Sequence, residues 1–111
     1  MVKIEPIWID GYAFTTTHVA LPKTNLLMVS NSVGYVMCGA LDVGLLRDKL
    51  ASRGIIAARA TGVKTMEELI QGNVESCTQE AEAIGITVGM SMTDALKRIG
   101  EAERRALRGA E

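Results

Sequence analysis

GYVMCGALD, residues 34–42, decides the fold of this chain because a strand pattern changes to a helix pattern within it. The apolar run before Cys38 predicts a short buried strand, Gly39 predicts a turn, and Asp42 predicts the N-cap of a helix. A sulfur just before a helix N-terminus lies near unpaired backbone N–H groups and about half a positive charge. Such a position can activate a thiol, and it is also a common packing position for a small apolar residue. The stretch therefore predicts a strand–helix junction and leaves two roles open for Cys38.

The residues before this junction have the composition of antiparallel strands. β-Branched and aromatic residues fill four short runs that we predict to be strands: residues 3–10, 12–21, 26–29 and 33–38. Asp10-Gly11, between the first two runs, is a strong hairpin signal because glycine accepts a positive φ without steric cost. The pattern predicts a four-stranded antiparallel meander.

After Cys38, helix and strand patterns alternate. We predict helices over residues 42–53, 65–72, 73–85 and 91–109, and strands at 55–58 and 86–88. Thr65 and Glu68 form a capping-box pattern at the start of the second helix. Strands separated by helices predict right-handed parallel crossovers. We therefore predict one α/β domain over residues 1–111, in which a β-rich region, 1–32, joins a βαβ-type body, 33–111, with a C-terminal helix.

Composition argues against several classes of function. The net charge is −1 and aromatic residues make up 4% of the chain, which disfavours nucleic acid and anionic membranes as partners. No apolar run approaches the length of a membrane span, and no leader-like stretch opens the sequence. Two cysteines and one histidine without metal-ligand spacing predict neither a disulfide framework nor a metal site, and no motif predicts a cofactor. We therefore expect a cytoplasmic protein with free thiols.

One hypothesis for the function is a thiol-dependent enzyme. In it Cys38 is the nucleophile and His18 is the base, either within one chain or supplied across a subunit interface. The alternative is that Cys38 fills the core and that His18 is a polar residue on a half-exposed strand or at a subunit contact. Reactivity of the Cys38 thiol in the native protein distinguishes the two.

A second hypothesis is a site for a small anionic metabolite at strand-end loops. Gly39, and likewise Gly89 with Ser91, lie in turns that lead into predicted helices, where backbone N–H groups can meet a phosphate or carboxylate. Lys64 follows the strand at 55–58 and would add positive charge at the same edge. The alternative is an ordinary surface turn, because none of these loops matches a P-loop or a dinucleotide fingerprint.

The N-terminal region has more large apolar side chains than it can bury by itself. Trp8, Tyr12 and Phe14 are the aromatic members of this surplus. In a small chain such a surplus indicates a surface covered by a partner, and the simplest partner is a second copy of the chain. A homo-oligomer joined through these strands is therefore expected, and a purely structural assembly protein is the third hypothesis.

The ordered set of motifs resembles the YunC-like family of small bacterial and archaeal domains of unknown function. The resemblance rests on the hairpin followed by GYVMCG, GVKTMEEL and GITVGMSMTDAL, and it extends to about Ala102. It implies a compact α/β body and an N-terminal β region that assembles the protein into tetramers. It implies no activity, so no catalytic residue is transferred to this chain.

Overall fold

The computed structural model describes residues 1–39 and 54–109. Six strands lie in this part of the chain: β1 Val2–Ile9, β2 Tyr12–Leu21, β3 Thr24–Ser30, β4 Gly34–Met37, β5 Ile56–Arg59 and β6 Ser76–Cys77. The helices described are α1 Met66–Gln71, α2 Gln79–Ala83 and α3 Met92–Gly109. The predicted helix at 42–53, with its cap Asp42, lies outside the described residues.

All six strands form one sheet in the order β1-β2-β3-β4-β5-β6. The strands from β1 to β4 pair antiparallel with their neighbours, β4 and β5 are parallel, and β6 is antiparallel to β5. Asp10 and Gly11 have φ values of 52° and 83°, as the type I′ turn of a two-residue hairpin requires. The predicted meander and the mixed α/β class are confirmed.

The hydrophobic core lies between α3 and one face of the sheet. Buried side chains of β2, β3, β4 and α3 meet there, among them Phe14, Leu27, Val29, Val36, Leu96 and Ile99. A Cβ on Gly100 would lie 2.5 Å from Cγ of Tyr12, so α3 approaches β2 at a distance that only glycine allows. Among the described residues, no helix is long and apolar enough to cross a membrane.

The predicted helix at 73–85 is wrong in its first half. Ser76 and Cys77 form β6 against β5, and the helix begins only at Gln79. Thr78 explains the boundary, because its N–H donates to Ala57 O at 3.0 Å while its hydroxyl donates to Ile55 O at 2.6 Å. The backbone groups along β5 thus pair with a second strand, and this pairing overrides the helical spacing of the apolar residues.

The predicted strand at 86–88 is also wrong. Gly85, with a φ of 98°, ends α2, and Ile86 N–H donates to Ala81 O at 3.0 Å while Gly85 N–H donates to Glu82 O at 3.0 Å. These two bonds form a Schellman motif, in which an apolar residue after the glycine packs back on the helix. Ile86 is fully buried in that role. The second parallel crossover is therefore absent from the described part of the sheet, and β4 and β5 are the parallel pair there.

Candidate functional site

Asn25, the second residue of β3, connects the two residues predicted for thiol chemistry. The Cys38 thiol donates to the backbone oxygen of Asn25 at 3.7 Å, and His18 Nε2 lies 2.9 Å from Asn25 Oδ1. An amide oxygen can only accept a hydrogen bond, so this contact is a hydrogen bond in the His18 tautomer that carries a proton on Nε2. The structure thus brings Cys38 and His18 of the same chain to opposite sides of one asparagine.

Cys38 and His18 do not contact each other. His18 is opposite Leu27 in the β2–β3 register, and Cys38 N–H donates to Leu27 O at 3.1 Å on the other side of β3. The buried Leu27 side chain therefore separates them, and two strand spacings place their backbones about 10 Å apart. Cys38 has 5% of its surface exposed, and its bond to Asn25 needs the thiol proton. The packing interpretation of Cys38 agrees with this geometry.

A cavity lies beside Asn25, between the β2–β3 turn and the loop that joins β5 to α1. We call it the strand-end cavity. Its volume is about 390 Å³, and its lining residues are Lys23, Thr24, Asn25, Val63 and Lys64. Gly39 and Thr61, which follow β4 and β5, lie next to each other at the same edge of the sheet, since a Cβ on Gly39 would be 3.7 Å from Thr61 Cγ2. Two of the predicted ligand residues, Gly39 and Lys64, are therefore at this edge.

The two lysines of the strand-end cavity carry uncompensated charge. Both side chains are exposed, and neither ammonium group forms an ion pair with another described residue. Glu68 of α1 is used by the capping box: its Oε1 accepts from Lys64 N–H at 2.7 Å and from Thr65 N–H at 3.1 Å. Among the residues described around the cavity there are therefore two cations and no carboxylate.

Lys23 occupies a strained backbone position. It has a φ of 65° directly after Pro22, the arrangement of a type II turn, in which glycine or asparagine is preferred at this place. A left-handed conformation costs an L-residue about 1–2 kcal/mol. Such strain tends to be found at functional positions. The turn therefore carries a lysine where the backbone favours glycine.

Gly89 and Ser91, the other predicted ligand residues, have structural contacts elsewhere. Gly89 N–H donates to Val74 O at 2.8 Å, and Gly89 O accepts from Asn73 Nδ2 at 3.1 Å. Ser91 Oγ accepts from Asp94 N–H at 3.1 Å and so caps α3. These contacts hold the turn before α3 in place, and neither residue lines the strand-end cavity.

Sequence reasoning missed Lys23 and Asn25, although both lie between the predicted strands at 12–21 and 26–29. The available signal was Pro-Lys where a type II turn prefers Pro-Gly. It was not sufficient, because only the register between β2 and β3 shows that Asn25 is next to His18 and that the turn faces Lys64.

The face of the meander that points away from the hydrophobic core has no charged side chain. Alternation along the paired strands places these residues together on the outer face: Val2, Ile4, Pro6 and Trp8 of β1; Ala13, Thr15, Thr17, Val19 and Leu21 of β2; Thr24, Leu26, Met28 and Ser30 of β3. Val2, Ile4 and Trp8 are 61%, 65% and 66% exposed. Of the three predicted interface aromatics, Phe14 is buried in the core and Tyr12 is half-buried beneath Arg104, which leaves Trp8 on the outer face.

No group of three or more His, Cys, Asp or Glu side chains able to hold a metal ion is found among the residues that the structure describes. Cys38 and Cys77 are both buried. The strand-end cavity and the hydrogen bonds around Asn25 bring together predicted site residues of both hypotheses, and they are the candidate site.

The fold defines a small mixed α/β protein with a meander at one end of its sheet, and comparison with known proteins places it in a family. A domain of unknown function, DUF1805, matches residues 37–99. The uncharacterized protein YunC of Bacillus subtilis (strain 168) is 52% identical over 99 residues, which are 89% of this chain and 98% of YunC. The chain therefore belongs to the DUF1805, or YunC-like, family.

A solved structure agrees with this assignment. The crystal structure of TA1206, a protein of unknown function from Thermoplasma acidophilum, superposes with a TM-score of 0.80 at 31% identity. The match covers 90% of this chain and 94% of TA1206. The similarity therefore extends over nearly the whole fold of both proteins.

Proposed function

We propose that this protein is a cytoplasmic homo-oligomer that binds a small anionic metabolite in the strand-end cavity. The observation that carries the proposal is the meeting of Lys23 and Lys64, from two separate loops, at one cavity with no carboxylate among its described lining residues. Two like charges that share a cavity repel each other, and an anion between them removes that repulsion. The volume of about 390 Å³ lies in the range of sites for small molecules.

The proposal is tested by titrating the protein with inorganic phosphate in a calorimeter at constant ionic strength. The matched pair of variants is Lys64→Gln and Arg105→Gln, each of which removes one exposed positive charge. We expect Lys64→Gln to weaken binding at least about tenfold, the effect of losing a hydrogen bond to a charged group. Arg105→Gln should bind as the wild type does. Equal affinities for both variants would contradict the site.

The homo-oligomer is supported by the outer face of the meander. A surface of three strands that exposes Val2, Ile4 and Trp8 and has no charged residue is suited to a second uncharged surface of the same kind. Copies of the chain are expected to pack through this face, and the tetramer implied by the family resemblance is the expected state.

The free edge of β1 is less suited to association between copies of the chain than the outer face of the meander is. Ala20 N–H donates to Met1 O, so the backbone groups of Val2, Ile4, Pro6 and Trp8 are the ones that point away from β2. Pro6 has no N–H and interrupts this ladder in the middle of the strand. A continuous sheet across two copies is therefore disfavoured, and contact between outer faces is the proposed mode.

Light scattering after size-exclusion chromatography tests this assembly. Trp8→Lys places a charge at the centre of the proposed contact, and Val88→Lys is its control, since Val88 is 68% exposed on a turn away from the sheet. We expect Trp8→Lys to shift the protein to a smaller species at micromolar concentration, while Val88→Lys keeps the mass of the wild type. A monomeric wild type, or identical masses for both variants, would overturn the assembly.

The cytoplasmic location is supported by the Cys38 thiol, which is buried and keeps its proton for a hydrogen bond to Asn25 O, as in proteins of a reducing compartment. No observation favours the thiol-dependent enzyme, because the group that contacts the Cys38 thiol is a carbonyl oxygen and not a base. The assembly alone would remain if no anion binds.

A further inference from the structure

The donors around the strand-end cavity indicate which class of anion it takes. Lysine binds phosphate as a point charge with three rotatable donors, whereas the planar fork of arginine binds carboxylate or phosphate in a fixed bidentate geometry. The described lining has two lysines and no arginine, together with the amide of Asn25. Donors of this kind suit a tetrahedral group whose oxygens point in several directions.

Asn25 presents its amide nitrogen as a free donor. Its Oδ1 is engaged by His18 at 2.9 Å, so the other end of the amide carries the two N–H groups. No described residue accepts a hydrogen bond from that nitrogen. With its proton on Nε2, His18 orients the amide before a ligand arrives, and the amide N–H groups then favour a ligand that accepts hydrogen bonds.

The charge of the cavity sets the charge of the ligand. A phosphomonoester carries nearly two negative charges at neutral pH and has three acceptor oxygens, whereas a phosphodiester carries one negative charge. The two ammonium groups of Lys23 and Lys64 balance the charge of a phosphomonoester. The volume of about 390 Å³ also leaves room for a short carbon body beside the phosphoryl group, with Val63 as its apolar contact.

We propose that the ligand is a small phosphomonoester, and that Asn25, oriented by His18, is the residue that selects it by donating to the phosphoryl group. This inference rests on the proposed function, since it assigns a chemical class to the anion of the same cavity. It adds two statements that a general anion site does not need: preference for a dianionic tetrahedral group, and dependence on an amide donor.

The experiment compares methyl phosphate, dimethyl phosphate and succinate by calorimetry on the wild-type protein at neutral pH. Methyl phosphate should bind about 10- to 100-fold more tightly than dimethyl phosphate, the range expected for losing a charged hydrogen-bonding partner. Succinate, which carries about the same charge on two planar carboxylate groups, should also bind more weakly than methyl phosphate. Equal affinity for the monoester and the diester, or tighter binding of succinate, would overturn the phosphomonoester while leaving an anion site in place.

The role of Asn25 is tested with Asn25→Asp. This nearly isosteric change keeps an oxygen for His18 and replaces the amide donor by a carboxylate, so the thermal unfolding transition should remain cooperative while methyl phosphate affinity falls at least tenfold. Gln79→Glu is the control, since it adds the same charge at an exposed position of α2. Unchanged affinity in Asn25→Asp would refute the selecting role. If no anion binds the wild type, or if Lys64→Gln has no effect, the proposed function itself fails.

Discussion

Lys23→Gly is expected to stabilise the ligand-free protein. The left-handed φ of 65° costs a non-glycine residue about 1–2 kcal/mol, which glycine does not incur. Glycine also makes the unfolded chain more flexible, which offsets about 0.4–1 kcal/mol of that gain. The net expectation is about 0.5–1 kcal/mol in favour of the variant. An unfolding entropy of about 0.23 kcal/mol/K for 111 residues converts this into a Tm about 2–4 °C higher.

The same substitution should reverse the order of stability when phosphate is bound. A ligand at 100 times Kd stabilises the folded protein by about 2.7 kcal/mol, whereas tenfold weaker binding at the same concentration leaves about 1.4 kcal/mol. The difference of about 1.3 kcal/mol exceeds the gain from the relaxed turn. Without phosphate, wild type should therefore unfold at a lower temperature than Lys23→Gly. With saturating phosphate, it should unfold at a higher temperature than Lys23→Gly.

Scanning calorimetry at one protein concentration, with and without phosphate, measures the Tm of wild type and of Lys23→Gly under both conditions. Asp10→Gly is the control: Asp10 has a φ of 52° in the other hairpin turn, and its ion pair with Lys97 at 3.6 Å joins two exposed side chains of small energetic value. This control should show no ligand-dependent change relative to wild type. A lower ligand-free Tm for Lys23→Gly would refute the strain argument, and an unchanged order with phosphate would refute the role of Lys23 in the cavity.

Further predictions concern the core, the pH dependence and the separation of site from interface. Gly100→Ala should lower the stability measured in thermal unfolding by about 1 kcal/mol. Overpacking against the Tyr12 ring costs about 1–3 kcal/mol, which exceeds the gain of about 1 kcal/mol in helix propensity. A Tm higher than that of wild type would contradict this prediction. The hydrogen bond that Arg59 donates holds the pKa of the Glu75 carboxyl below its ordinary 4.5. Wild type should therefore be more stable than Glu75→Gln above that pH, and this difference in stability should vanish as the pH falls through the lowered pKa. A constant difference in denaturant titrations from pH 7 to 3 would show that the hydrogen bond has no effect on stability. Trp8→Lys should keep the wild-type affinity for methyl phosphate, since Trp8 lies on the outer face, and weaker binding would mean that copies of the chain share the site.

Local sequence signals predicted those elements whose cause is local. The type I′ turn at Asp10-Gly11 depends on two backbone angles, and the capping box of Thr65 and Glu68 depends on side chains three residues apart. Both formed as expected. The apolar spacing at 73–85 fitted a helix equally well, but the unpaired edge of β5 is distant in sequence, and its pairing with Ser76 and Cys77 outweighed that spacing.

The candidate site could be predicted only in part, because some of its residues are defined by contacts between distant parts of the chain. Lys64 was found because it follows a predicted strand, where loops gather at the carboxyl edge of a sheet. Asn25 was not found, because its importance comes from cross-strand register: it is diagonal to His18 on β2 and accepts from Cys38 beyond β3. No spacing along the chain contains that information.

Alternation along β2 and β3 separates the two proposed roles of the meander. His18 and Asn25 point to the face that carries the core and the strand-end cavity, while their neighbours Val19 and Leu26 lie on the uncharged outer face. One strand pair can therefore join copies of the chain and hold a ligand without either surface covering the other. A shift of one residue in the β2–β3 register would exchange the faces and destroy both surfaces at once, so the type II turn at Pro22-Lys23, which sets this register, connects assembly to ligand binding.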